Sequence, residues 1–387
     1  MEIQRNFYLD KLITRKSNGL VKVITGLRRC GKSYLLNTIF YRHLLENGVP
    51  KDHIIRFAFD SADDLYLIGE NLIELEKKSR KANPEKFMAY VRSIITDSNM
   101  YYLLDEVQML DCFETVLNGY LRKENMDVYV TGSNAKFLSS DIITEFAGRG
   151  DEIHMYPLSF SEFMSVYPGD KYEGLSQYML YGGIPMIVLK DDEADKAAVL
   201  NNLFHEIYIR DILKRHKIKK YLDYFEDSFL MEAAQRYDIR GKAYIETPKK
   251  YYFSDLGLRN SRINFRQYEQ THMMENVLYN ELRMRGYNVD VGVVTITQKD
   301  SDGKSVRKQL EVDFVCNAGS NRYYIQSAYS MPNAQKHEQE TEPFRKIGDS
   351  FKKIVVTKDI IPPHYDEHGI FIINIYDFLL DPSKLEH

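Results

Sequence analysis

The chain has 387 residues, 44% apolar and 28% charged, with a formal net charge of −4. That length suits two or three domains, each with its own core, and the balance excludes a disordered or fibrous chain. The weak charge excludes a chain-wide attraction to nucleic acid, no apolar run is long enough for a membrane helix, and Cys30, Cys112 and Cys316, without a CxxC or HExxH pattern, exclude a disulfide framework or a structural zinc site; a reducing cytoplasmic setting is expected.

Over residues 1–157, short β-rich runs alternate with helical patterns, which predicts a parallel sheet with helices on its faces. Strands are expected from Val21 to Thr25, Ile54 to Phe59, Tyr101 to Leu104, Val128 to Thr131 and Glu152 to Tyr156. Helices are expected from Ser33 to Glu46, Pro84 to Ile95 and Cys112 to Lys123. Residues 158–220 lose the strand pattern and read as a helical lid, with a turn at Tyr181-Gly182-Gly183-Ile184-Pro185. Residues 221–262 form a linking region: a helix from Tyr221 to Tyr237, then a hairpin across Asp238 to Gly241 into Lys250 to Phe253. Residues 263–384 bring a long helix to Arg285 and several strands, an α/β module with its own core.

Gly26-Leu27-Arg28-Arg29-Cys30-Gly31-Lys32-Ser33 satisfies GxxxxGK[ST] between an expected strand and an expected helix that continues at Tyr34. In such a loop, glycines let backbone N–H groups turn around phosphate oxygens, the helix N-terminus adds partial positive charge, Lys32 reaches the β- and γ-phosphates, and the Ser33 hydroxyl ligates Mg2+. Cys30 reads as a tolerated variable position of the loop.

Tyr101-Tyr102-Leu103-Leu104-Asp105-Glu106 is an apolar strand ending in two carboxylates, a pattern that assigns Asp105 to Mg2+ and Glu106 to the attacking water. The next strand runs into Thr131-Gly132-Ser133-Asn134, where Ser133 or Asn134 would help position that water. Arg149, after Gly148, is either a finger on a neighbouring subunit's γ-phosphate or a surface residue. Lys214-Arg215-His216-Lys217-Ile218-Lys219-Lys220 holds five fixed cations and reads as a solvated helix end or a phosphate-binding patch.

Taken together, these motifs resemble bacterial and archaeal AAA-type ATPases in which GxRRxGK[ST] and LDEVQ are followed by TGSxAxxL, a GR pair, PLSFxEF, GGxP and YYFxDLGLRN. Here they stand at Gly26 to Ser33, Leu104 to Gln108, Thr131 to Leu138, Gly148-Arg149, Pro157 to Phe163, Gly182 to Pro185 and Tyr251 to Asn260. The resemblance covers nearly the whole chain. It implies an α/β fold with a P-loop AAA-type parallel sheet core and helical lid, followed by a C-terminal restriction-endonuclease-like α/β domain. ATP and Mg2+ are the implied cofactors, with DNA or a protein as partner of the C-terminal domain and a homo-oligomer as the assembly.

Two departures stand out. The winged-helix segment expected between the lid and the YLDYxED run is short, because Arg210 to Lys214 passes almost directly into Tyr221 to Asp227. In the nuclease-like domain, the resemblance matches Glu275 and Asp313 to metal-binding carboxylates, but Gln326 stands where a glutamate belongs and Ala328 where a lysine belongs. Losing an anionic ligand and the cation together cripples hydrolysis; only a migrated lysine such as Lys336 would restore it. The expected function is ATP binding and hydrolysis driving a conformational or assembly change read out by the C-terminal domain. The rival readings are an ATP-regulated metal-dependent nuclease and a non-hydrolysing nucleotide-gated scaffold.

Overall fold

The computed structural model describes residues 2–95, 99–123, 125–132, 148–207, 221–266, 269–299 and 304–385. The chain divides into two compact units: Met1–Pro157 with Ile207–Phe229, and Leu158–Glu206 with Leu230–His387.

The first unit is built on five strands, β1 (Val21–Thr25), β2 (Ile54–Ala58), β3 (Met100–Asp105), β4 (Met126–Thr131) and β5 (Gly150–His154), in the spatial order β2-β3-β4-β1-β5. Every neighbouring pair is parallel. β1, β3 and β4 are buried at every position, as their near-continuous apolar sequences require of strands covered on both faces. All five strands stand where the sequence places them, within a residue or two at most ends. After β1 the chain turns into a helical stretch that is α-helical over Lys32–Tyr34 and Tyr41–Glu46 and π-helical over Leu35–Phe40. Asn83 caps the Pro84–Ile94 helix by accepting from Glu85 N and Lys86 N, with proline at the first turn.

The second unit contains an eight-stranded mixed sheet. Its strands are β6 (Met231–Asp238), β7 (Ala243–Phe253), β8 (Asn288–Lys299), β9 (Ser305–Ala318), β10 (Asn321–Ala328), β11 (Lys352–Thr357), β12 (His364–Tyr365) and β13 (Phe371–Asn374). They lie in the order β12-β13-β11-β10-β9-β8-β6-β7. Along β11, Ile354 and Val356 enter one apolar cluster and Val355 another, so the sheet buries both faces. One cluster gathers the Gln270–Met284 and Ile375–Leu380 helices; the other gathers Phe344 and Ile347 at the end of the Ala334–Arg345 helix.

Two expectations change. The helix predicted from Tyr221 to Tyr237 stops at Asp227, and Met231–Asp238 is a strand. Its pairing with β7, and in parallel with β8 at Arg236↔Val291, overrides a local pattern with no β-branched residue. Residues 158–206, predicted as a lid, share their core with the C-terminal module: Phe160, Phe163, Leu175 and Met179 pack in one cluster with Met274, Leu278 and Phe378. The basic run Lys214 to Lys220 lies outside the described residues.

Two sequence motifs explain each other inside this unit. Asp255 caps the Leu256–Arg262 helix by accepting from Leu258 N at 3.1 Å, and it also accepts from Gly183 N at 2.8 Å. A Cβ on Gly182, whose φ is +76°, would meet the Asp255 carboxylate at 2.3 Å, so the Gly-Gly turn admits no side chain. Asn260 ties the same turn by donating to the carbonyls of Met179 and Leu180.

Candidate active site

In the first unit the parallel strands bring several loops to one edge. Ile24 of β1 is level with Thr131 of β4, and Leu104 of β3 is level with Val130, so Gly26, Asp105-Glu106 and Thr131 leave the sheet side by side. This is the edge where α/β sheets bind ligands. The loop after β1 carries positive φ at Gly26 (+130°), Arg29 (+66°) and Gly31 (+104°). A Cβ at Gly26 would lie 2.0 Å from the Met155 carbonyl oxygen, so only glycine lets the loop start here.

Within the loop, the Lys32 ammonium donates to the carbonyls of Gly26 and Leu27, each at 3.0 Å. Ser33 Oγ donates to Asp105 Oδ1 at 3.0 Å, and Asn37 Nδ2 donates to Asp105 Oδ2 at 3.3 Å. Thr131 Oγ1 also donates to Asp105 Oδ1 and accepts from Glu106 N at 3.0 Å. Glu106 holds left-handed backbone (φ +49°), and Gln108 Nε2 donates to its Oε2. Burial pushes the Asp105 carboxyl above its ordinary value; the Thr131 and Ser33 hydrogen bonds oppose this, while Glu106 and Asp60 add to it.

These donors fit Mg2+ bound with a nucleotide. Mg2+ takes hard oxygen ligands and is held by one or two protein side chains together with phosphate oxygens, and Ser33 Oγ and Asp105 offer such oxygens beside the glycine-containing loop. Mg2+ bound there would neutralise phosphate charge.

A model of the AAA domain family matches residues 18–164. An uncharacterized protein of Haemophilus influenzae is 31% identical over 430 aligned residues, spanning 98% of this chain and 98% of its own. The chain belongs to the AAA-type P-loop ATPase family. Another such protein, an uncharacterized one of Methanocaldococcus jannaschii, is 26% identical, spanning 95% of this chain and 86% of its own. Among solved structures, the Aeropyrum pernix ORC1 protein in complex with DNA aligns at 11% identity and a TM-score of 0.31, covering 67% of this chain and 92% of that one. A DNA polymerase III gamma subunit-related protein of Thermotoga maritima aligns at 11% identity and a TM-score of 0.29, covering 72% and 85%.

In this AAA-type chain Gly26 to Tyr34, Asp105 and Glu106 lie at one edge, and Arg5, Asn37, Asp60, Thr131 and Gln108, to which the motifs give no role, support them. Arg5 is buried beneath the loop and donates to the carbonyls of Cys30 (3.0 Å) and Tyr156 (2.7 Å). Cys30 is fully buried, its Sγ 3.4 Å from the Met155 carbonyl, so it is packing material. Asp60, two residues past β2, has its carboxyl pushed up by desolvation and then by Glu106, with Arg28 pulling the other way. Thr131 and Gln108 lie within motifs, but only their bonds to Asp105 and Glu106 reveal what they do. Ser133 and Asn134 lie outside the described residues. Arg149 is exposed, and its carbonyl accepts from Val21 N at 2.9 Å, at the opposite end of β1 from the P-loop.

A second polar cluster occupies the other unit. Glu275 and Asp313 are both buried, at 7% and 8% exposure. Gln326 Oε1 accepts from Asp313 N at 3.3 Å, and Asp313 Oδ2 accepts from Ser327 N at 2.8 Å. Lys336 pairs with Glu340 on its own helix at 2.5 Å, and Glu340 Oε2 accepts from Gln326 Nε2 at 3.5 Å, so this pair stands on the Gln326 side of the cluster. The cation at Glu275 is Lys250, whose Nζ lies 2.6 Å from Glu275 Oε1 and 3.0 Å from Glu311 Oε1. Burial alone would lower the Lys250 ammonium's pKa, but Glu275, Asp313 and Glu311 together hold it above its ordinary value. Lys250 and Glu311 carry no motif; they meet because β7 and β9, distant in sequence, belong to one sheet and the lysine reaches across it.

Proposed function

We propose that this chain binds ATP with Mg2+ at the C-terminal edge of its five-stranded sheet, hydrolyses it, and passes the resulting change to its second unit. The observation that carries this reading is the convergence of Ser33, Asp105, Thr131 and Glu106 from three neighbouring strand ends beside a GxxxxGKS loop. Lys32 would exchange its two carbonyl partners for phosphate oxygens, and Ser33 and Asp105 would hold the metal. Glu106 accepts the proton of the attacking water. Thr131 fixes the peptide that carries Glu106, and Gln108 restrains its carboxylate. Arg149, whose peptide lies at the opposite end of β1 from its own P-loop, serves a neighbouring subunit.

Phosphate release from purified protein tests the reading, with ATP binding measured in parallel. Lys32→Ala is expected to lose ATP affinity while remaining folded, with a modest fall in unfolding temperature because it also gives up two buried bonds to the Gly26 and Leu27 carbonyls. Glu106→Gln is expected to keep ATP bound and lose turnover by about 10²-fold or more, the weight of a general base. Unchanged affinity in the first variant, or wild-type turnover in the second, overturns the assignment.

A further inference from the structure

The C-terminal unit resembles a nuclease fold whose carboxylates bind metal, yet its carboxylates already hold a cation of their own. Lys250 enters from β7, the terminal strand of the sheet, where it pairs with Ala234 next to the register shift between Ala234 and Arg236. Such bulges re-aim side chains. Its ammonium bridges Glu275 Oε1 (2.6 Å) and Glu311 Oε1 (3.0 Å). Tyr252 OH donates to the same Glu275 Oε1 at 2.6 Å, and Arg236 lies 2.9 Å from the other oxygen of Glu311, Oε2. Lys250 and Arg236 thus lie against two glutamates, with Asp313 close enough to act on Lys250 as well, and a divalent ion at Glu275 Oε1 would meet an ammonium already on that oxygen. Among the described residues, no three His, Cys, Asp or Glu side chains are arranged to hold a metal ion.

We propose that Lys250 is the resident cation of this unit, standing where a divalent metal would need Glu275, so that the carboxylates stay closed to metal until that lysine is removed. The substitutions at Gln326 and Ala328 take away a metal-dependent hydrolase's ligand and lysine; Lys250 supplies the replacement charge that lets the buried carboxylates remain. The unit then works as a binding module without a metal. This stands apart from the ATPase reading and is tested without ATP turnover.

The test uses nucleotide-free full-length protein carrying Asp105→Asn, which removes the carboxylate charge at the first unit's candidate metal position, and follows thermal unfolding with and without Mn2+ together with Mn2+ uptake by electron paramagnetic resonance. The parent and Lys250→Arg are expected to take up no stoichiometric Mn2+ and to unfold at the same temperature with or without it. Lys250→Met is expected to gain Mn2+ binding and to be stabilised by it, since a ligand bound only by the native state raises the unfolding temperature. Adding Glu275→Gln to Lys250→Met should abolish that gain. Mn2+ uptake by the parent that disappears with Glu275→Gln overturns the proposal, as does a folded Lys250→Met that takes up none. Should Lys250→Met fail to fold without metal, refolding in Mn2+ decides: recovery supports the proposal and failure overturns it.

Discussion

Glu106 is held from two sides, its peptide N–H by Thr131 Oγ1 at 3.0 Å and its carboxylate by Gln108 Nε2. Its φ of +49° costs on the order of 1–3 kcal/mol for a residue with a side chain, a strain that concentrates where geometry matters to function. On the proposed reading of Glu106 as the general base, Gln108 is a positioning residue. Gln108→Ala should lower kcat about 10- to 100-fold, because a general base displaced by an ångström loses that much, while KM for ATP stays unchanged. A rise in KM with constant kcat would place Gln108 in nucleotide binding instead. At this scale the loop glycines, Lys32, Ser33 and the two acids were legible because each sits in one contiguous motif beside a strand. Arg5, Asp60, Lys250 and Glu311 were not, since what gives each its role is a partner many residues away that no spacing rule connects.

Elements were most legible where the local pattern and the tertiary demand agree, as in β1, β3 and β4, whose apolar runs suit burial on both faces. They were least legible at Met231–Asp238, where helix-tolerant residues are recruited into a sheet by β7 and β8. The Gly182-Gly183 turn and the Leu256–Arg262 helix show how two separate motifs become one feature through a buried carboxylate. Burial raises the Asp255 pKa from 3.8 to about 6, with backbone N–H groups of Gly183, Leu258, Gly257 and Ile184 opposing it. The folded protein therefore keeps this proton up to about pH 6, whereas the unfolded chain releases it near 3.8. Between those values the native state binds more protons, so stability from this group is present at the acid end and is lost as pH rises through about 6, a difference of about 3 kcal/mol. Asp255→Ala should be destabilised by about 2–4 kcal/mol because it orphans several buried amides. Its deficit relative to wild type should be larger near pH 4 than at pH 7. Urea unfolding at both pH values checks this, and a deficit that grows with rising pH would reverse the assigned sign.

At the scale of the molecule, the chain passes between its two units three times, after Pro157, Glu206 and Phe229, so a change at the first unit has three covalent routes to the second. What drives that change depends on whether the site is complete within one chain, and Arg149 decides it. Its carbonyl accepts from Val21 N, whereas the P-loop leaves β1 after Thr25, about 13 Å further along at about 3.3 Å per residue. We propose on this ground that the Arg149 guanidinium completes the site of a second copy, where such arginines contribute about 10³- to 10⁵-fold in rate. The wild-type rate per subunit should then rise with protein concentration as copies associate. Arg149→Ala should bind ATP normally yet turn over slowly at every concentration. Mixed with Lys32→Ala, it should regain activity, because the Lys32 variant lends an intact Arg149 to a partner whose own P-loop is whole. If mixed oligomers form without recovery, and the wild-type rate per subunit is flat with concentration, Arg149 is a surface residue and each chain works alone.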